Sequence, residues 1–173
     1  MSYFELLGMR SDPFSNSPDP LFLYQSRECH NCLSNLEIAI RLRRGLNVLV
    51  GDIGTGKTTM GRALLKLFED EADNFQIFLI LDPSFESSTE FLAYLLRMFS
   101  IPQPEETSPL AYKNAIQNFL FEKGVKENKA VVLIIDEAQK LAPPALEILR
   151  EILNFETNDQ KLLQLVLLGQ MDL

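Results

Sequence analysis

Positive charge is in short supply. Lys and Arg number 16 against 24 Asp and Glu, for a formal net charge of −8. Such a balance disfavours a basic stripe for nucleic acid. The one basic cluster, Arg41, Arg43 and Arg44, stands just before Gly45 and reads as the end of a helix, where cations offset the negative pole. No apolar run reaches the ~18 residues that would cross a bilayer. Met1 to Leu7 lacks the basic start and long apolar core of a secretory leader, so a cytoplasmic location is the expectation. Cysteine is scarce, with two residues in the chain, which excludes a disulfide scaffold. Cys29, His30 and Cys32 are close together, but the sequence offers no further ligand pair to complete a structural metal site. Internal repeats and low-complexity stretches are absent. So is the Asn/Thr-Lys-x-Asp string with which a GTPase reads its base.

What remains is an ordinary globular composition, 46% hydrophobic and 23% charged over 173 residues. That length buries a core without staples, and one domain is expected. Residues 1–25 read as a lead-in: three prolines between Pro13 and Pro20 keep it looped, while Phe14, Leu21, Phe22, Leu23 and Tyr24 are apolar enough to pin it to the core. Ser26 then caps a helix from Arg27 to Arg44 that Gly45 ends.

Residues 26–173 alternate strand and helix. Leu46–Val50 reads as a buried strand, Thr59–Phe68 as a helix, and Asn74–Leu81 as a strand. A capping box at Ser87-Ser88-Thr89-Glu90 opens a helix to Phe99. Ser108 and Pro109 open another, running towards Lys126. Ala130–Ile135 is an unbroken apolar strand, Pro143–Phe155 a helix, and Lys161–Leu168 a fourth strand. Apolar runs of this kind call for a parallel sheet covered on both faces, with right-handed crossovers. In such sheets ligands bind at the carboxyl ends of the strands.

At the first of those ends stands Gly51-Asp52-Ile53-Gly54-Thr55-Gly56-Lys57-Thr58, which fits the phosphate-binding pattern G-x-x-x-x-G-K-[ST]. Glycines let the backbone wrap a phosphate, and the N–H groups of the loop and first helical turn, through Thr59, point at the anion. Lys57 supplies a charge for the terminal phosphates. Thr58 supplies a hydroxyl ligand for Mg²⁺. The third strand ends in Asp136, placed to hold the same ion, and Glu137, placed to orient and deprotonate water. Gln170 at the end of the fourth strand is a candidate for contacting the γ-phosphate or that water. Asp82, ending the second strand, reads as a turn residue before Pro83.

The combination resembles the AAA+ ATPases, in particular the ExeA/GspA-like general secretion pathway ATPases. It is carried by Asp12-Pro13-Phe14, Pro18-Asp19-Pro20 and Phe22-Leu23-Tyr24, then Gly51 to Thr59, Ile134-Ile135-Asp136-Glu137-Ala138-Gln139, Leu149-Arg150, Leu153 to Thr157 and Leu168-Gly169-Gln170. The resemblance implies an α/β, three-layer P-loop NTPase core of the RecA-like kind, with a parallel sheet in the order 5-1-4-3-2. It implies Lys57 and Thr58 as the Walker A pair, Asp136 and Glu137 as the Walker B pair, and Gln170 as sensor 1. It further implies ATP/ADP and Mg²⁺ as ligands, the lead-in near the adenine, a ring-forming homo-oligomer with nucleotide at the subunit boundary, and secretion-machinery partners served from the cytoplasmic face of the inner membrane. On that pattern the fifth strand and lid are missing, a membrane anchor is expected downstream, and nucleotide binding is expected to outlast hydrolysis. Family members often carry Asn where Asp82 stands, to restrain the catalytic Glu, which puts such a restraint by Asp82 in doubt. The transposition ATPases (TniB, IstB and MuB types) share the core motifs and form the alternative, a DNA-binding adaptor.

Overall fold

The computed structural model describes Gly8 and residues 26–170. The lead-in, apart from Gly8, lies outside the described residues. Helix α1 spans Arg27–Arg41, and the Ser26 hydroxyl accepts from the Cys29 N–H as the sequence predicts. Its end differs from expectation. Arg43 (φ 51°), not Gly45, is the left-handed residue that closes the helix. The Arg43 and Arg44 N–H groups donate back to Ile40 and Ala39, the pattern that closes a helix around a left-handed residue. Arg43 holds this geometry because its guanidinium donates to the Gly124 and Asn128 carbonyls. Gly45 (φ +87°) opens the next strand instead, and a Cβ there would meet Lys161 Cγ at 2.9 Å.

Strands β1 (Leu46–Val50), β2 (Phe75–Ile80), β3 (Ala130–Ile135) and β4 (Leu163–Gly169) form one all-parallel sheet in the order β1-β4-β3-β2. That is the 1-4-3-2 part of the expected order. Helices α2 (Lys57–Leu67), α3 (Ser88–Met98), α4 (Pro109–Phe121) and α5 (Pro143–Leu153) complete the layers, with one π-helical turn at Glu122–Lys126. Period-2 alternation of strand side chains divides the core. Val131, Leu133 and Ile135 of β3 pack with Phe91, Leu95, Ile116 and Ile148 of α3, α4 and α5. Val132 and Ile134 pack with Leu36, Ile40, Met60 and Leu64 of α1 and α2. β3 and β4 are buried on both faces, as their apolar runs require.

β1 departs from the sequence reading of a buried strand. It lies at the sheet edge among the described residues, and Leu46, Val48 and Val50 are about half exposed. Only its other face, with Leu49, packs under α1 and α2. Gln164 is the polar exception inside β4. It is fully buried, accepts from the Gly45 N–H and donates to the Lys161 carbonyl, so both ends of its amide are satisfied.

Candidate functional site

Parallel pairing sets the carboxyl ends of β1, β3 and β4 side by side. Val50 is in register with Gly169, and Ile135 with Leu167, so residues 85 and more positions apart in sequence converge there. The loop after β1 starts with the Gly51 N–H donating to the Gly169 carbonyl. Gly54 (φ +80°) and Gly56 (φ +86°) both take the left-handed conformation, which costs an L-residue roughly 1–2 kcal/mol. Thr55 ties the loop together through its hydroxyl, which donates to the Asp52 carbonyl. Gly56 then opens α2, and the Met60 N–H returns to its carbonyl. Thr59 sits in that first turn.

Lys57 folds back over the loop, its Nζ donating to the Gly51 and Asp52 carbonyls at 2.8 Å each. Asp52, Ile53, Gly54 and Thr55 are exposed. Asp136 is almost fully buried and doubly held: the Glu137 N–H donates to Oδ1 at 2.9 Å, and the Thr58 hydroxyl donates to Oδ2. The Asp136 carboxylate and the Thr58 hydroxyl are both hard oxygen ligands, the chemistry a small divalent cation takes. Glu137 follows in the left-handed conformation (φ 51°, ψ 39°), a strained turn for a non-glycine residue. Ile53, Gly54, Gly56, Lys57, Thr58, Glu137 and the half-buried Gln170 line one cavity of about 400 Å³.

Every site residue singled out in the sequence but Asp136 therefore falls in the loop, its helix or this cavity wall, and Asp136 lies buried just past the end of β3, against Thr58. Two features escaped sequence reasoning. Gln139 lies on the short helical turn after Glu137, its Nε2 donating to Glu137 Oε2 at 2.7 Å and its Oε1 accepting from the Gln170 N–H at 3.2 Å. Its position in the string Asp136-Glu137-Ala138-Gln139 was the only signal. The second is an adjoining cavity of about 270 Å³ between α1 and the loop, lined by Cys29, Cys32, Gly51, Thr55, Lys57 and Met60 among others. Burial, with Cys32 beside it, pushes the Cys29 thiol above its ordinary pKa. Asp82 stays a turn residue. Its carboxylate takes the Ser84 hydroxyl at 2.7 Å and pairs with Lys140 at 3.6 Å, and these hold it below its ordinary pKa.

A parallel sheet, a glycine loop opening a helix, and a buried carboxylate against the loop threonine together define a nucleotide-binding P-loop domain. The AAA domain family matches residues 40–173, and the chain belongs to it. The chain is also similar to General secretion pathway protein A of Aeromonas hydrophila, at 36% identity over 99% of its own length. It spans 30% of that relative's length. Among solved structures, Cdc6p from Pyrobaculum aerophilum superposes with a TM-score of 0.66 over 93% of this chain and 42% of that one, at 22% identity. Drosophila ORC, solved bound to DNA, gives 0.64 over 94% and 46%, at 16% identity. The Aeropyrum pernix ORC2 protein, solved in ADPNP-ADP complexes, gives 0.58 over 92% and 43%, also at 16% identity. At these identities the likeness concerns the fold.

Proposed function

We propose that the chain binds ATP with Mg²⁺ and hydrolyses it to ADP, as the ATPase domain of a general (type II) secretion system that drives assembly of the secretin machinery. The observation that carries the hydrolytic reading is the joint placement of Lys57, Thr58, Glu137 and Gln170 around one cavity, with Thr58 against buried Asp136. The loop N–H groups and Lys57 bind the phosphates, with phosphate oxygens taking the place of the Gly51 and Asp52 carbonyls at Nζ. Thr58 and Asp136 would hold the magnesium ion, which supplies charge neutralisation at the terminal phosphates. Glu137 orients the attacking water and receives its proton. Gln170 contacts the γ-phosphate or that water from the end of β4.

The secretion role rests on the similarity to General secretion pathway protein A and on the lead-in string Asp12-Pro13-Phe14. Service at the cytoplasmic face of the inner membrane, in a homo-oligomeric ring with nucleotide at the subunit boundary, belongs to the same reading. Among the described residues no helix is long and apolar enough to cross a membrane. The DNA-binding adaptor of the transposition type is not favoured, since the similar curated protein is named for secretion and the chain is acidic. The test is a chromosomal Glu137→Gln exchange. Loss of extracellular enzyme release and of assembled secretin supports the reading. Normal secretion with a defect in DNA transposition would replace it with the alternative.

A further inference from the structure

We propose that Gln139 is the positioning residue of the hydrolytic carboxylate and ties it to the end of β4, an inference that rests on the ATPase reading above. Glu137 leaves β3 in a left-handed turn and lines the cavity. Among the described residues one side chain is recorded donating to its carboxylate, the Gln139 amide, at 2.7 Å. The other end of that amide accepts from the Gln170 N–H at 3.2 Å. A carboxylate only accepts and a backbone N–H only donates, so a single orientation of the amide satisfies both partners. The two bonds therefore fix each other.

Gln139 is in turn anchored. It sits on the 3₁₀ turn Ala138–Lys140, whose Lys140 N–H returns to the Glu137 carbonyl, and Ala138 is buried in the core against the α3–α5 layer. Asp82, the nearest acid from β2 in the topology, is engaged with Ser84 and Lys140 instead. The consequence is a short chain of contacts, Gln170 backbone to Gln139 amide to Glu137 carboxylate. Gln170 faces the same cavity as Glu137. A displacement at the end of β4, where the γ-phosphate would be met, is thereby transmitted to the group that handles the water.

The experiment compares ATP turnover and ADP affinity in the full chain for Gln139→Leu, Gln139→Glu, Glu137→Gln and the Gln139→Leu/Glu137→Gln pair. Gln139→Leu removes both bonds at nearly constant volume and is expected to lower kcat roughly tenfold to a hundredfold, the scale of a misplaced catalytic group, with KM and ADP affinity unchanged. Gln139→Glu keeps the acceptor for the Gln170 N–H but sets a second carboxylate against Glu137, and is expected to lose at least as much. In the Glu137→Gln background the Leu exchange is expected to cost nothing further, because Gln139 acts through Glu137. Full activity of either single variant overturns the inference, as does a loss that adds fully to that of Glu137→Gln or that appears in KM alone. Should Gln139→Leu fail to fold, Gln139→Glu decides. Absence of Glu137-dependent turnover in the unsubstituted chain overturns the hydrolase reading and this inference with it, an outcome distinct from turnover that ignores Gln139.

Discussion

At the scale of single residues, the site separates binding from chemistry. In the proposed function Lys57 and the loop amides take the phosphates and make no demand on water. Glu137 makes no contact with the loop that the structure records, and its proposed role is confined to the attacking water and its proton. Glu137→Gln keeps the shape and removes the base, so turnover is expected to fall by about 10²–10⁴ while ATP affinity is retained, measured by phosphate release and by titration of the same sample. Gly56→Ala acts differently. Its backbone is left-handed at φ +86°, so a Cβ is expected to cost roughly 1–2 kcal/mol in the phosphate-binding conformation. Weaker nucleotide binding with an unchanged melting profile would show that the strain is taken up by the loop opening rather than by the fold. The residue level was the most legible in the sequence, because the loop pattern specifies backbone shape and charge together. Gln139 was not legible, since its role depends on a side-chain reach between two strand ends.

At the scale of elements, apolar runs announced β3 and β4 correctly, and the caps at Ser26, Ser87 and Ser108 are all made. The run Leu46–Val50 looks the same but gives a half-exposed strand, because position in the sheet is a long-range property that a local run does not carry. The end of α1 was misplaced for a related reason: Arg43 is held in a left-handed turn by carbonyls more than 80 positions away. Arg41 shows how such ends are secured. It pairs with Glu37 and Glu71 and lies over the Phe68 and Phe75 rings at 5.0 and 5.4 Å. That guanidinium hydrogen bond holds Glu71 below its ordinary pKa of 4.5. A depressed folded pKa means the contribution is full above 4.5 and is lost as pH falls through the lower folded value. Glu71→Gln is therefore expected to lower the melting temperature slightly at neutral pH, and the difference from the unsubstituted chain is expected to vanish under strongly acidic conditions. A difference that grows as pH falls would contradict this. The pair is exposed, so the effect is small.

At the scale of the whole molecule, the sheet is what makes a site out of distant residues. β4 lies between β1 and β3, and its burial on both faces keeps the phosphate loop, Asp136 and Gln170 in one plane of strand ends. Leu168, fully buried against Val132, Ile134 and the α1–α2 layer, is expected to cost about 2–5 kcal/mol on truncation to Ala, read by denaturant unfolding. Val48, half exposed on β1, is expected to stay within about 0.5 kcal/mol on change to Thr. In the proposed function Gly51 to Thr59 binds a nucleoside triphosphate through the Lys57 charge. Calorimetric titration of ATP and Mg²⁺ into the chain and its Lys57→Ala variant tests it most directly. The expected result is one site per chain, weakened about tenfold to a hundredfold by loss of the charged hydrogen bonds. Equal affinity in both proteins would contradict it.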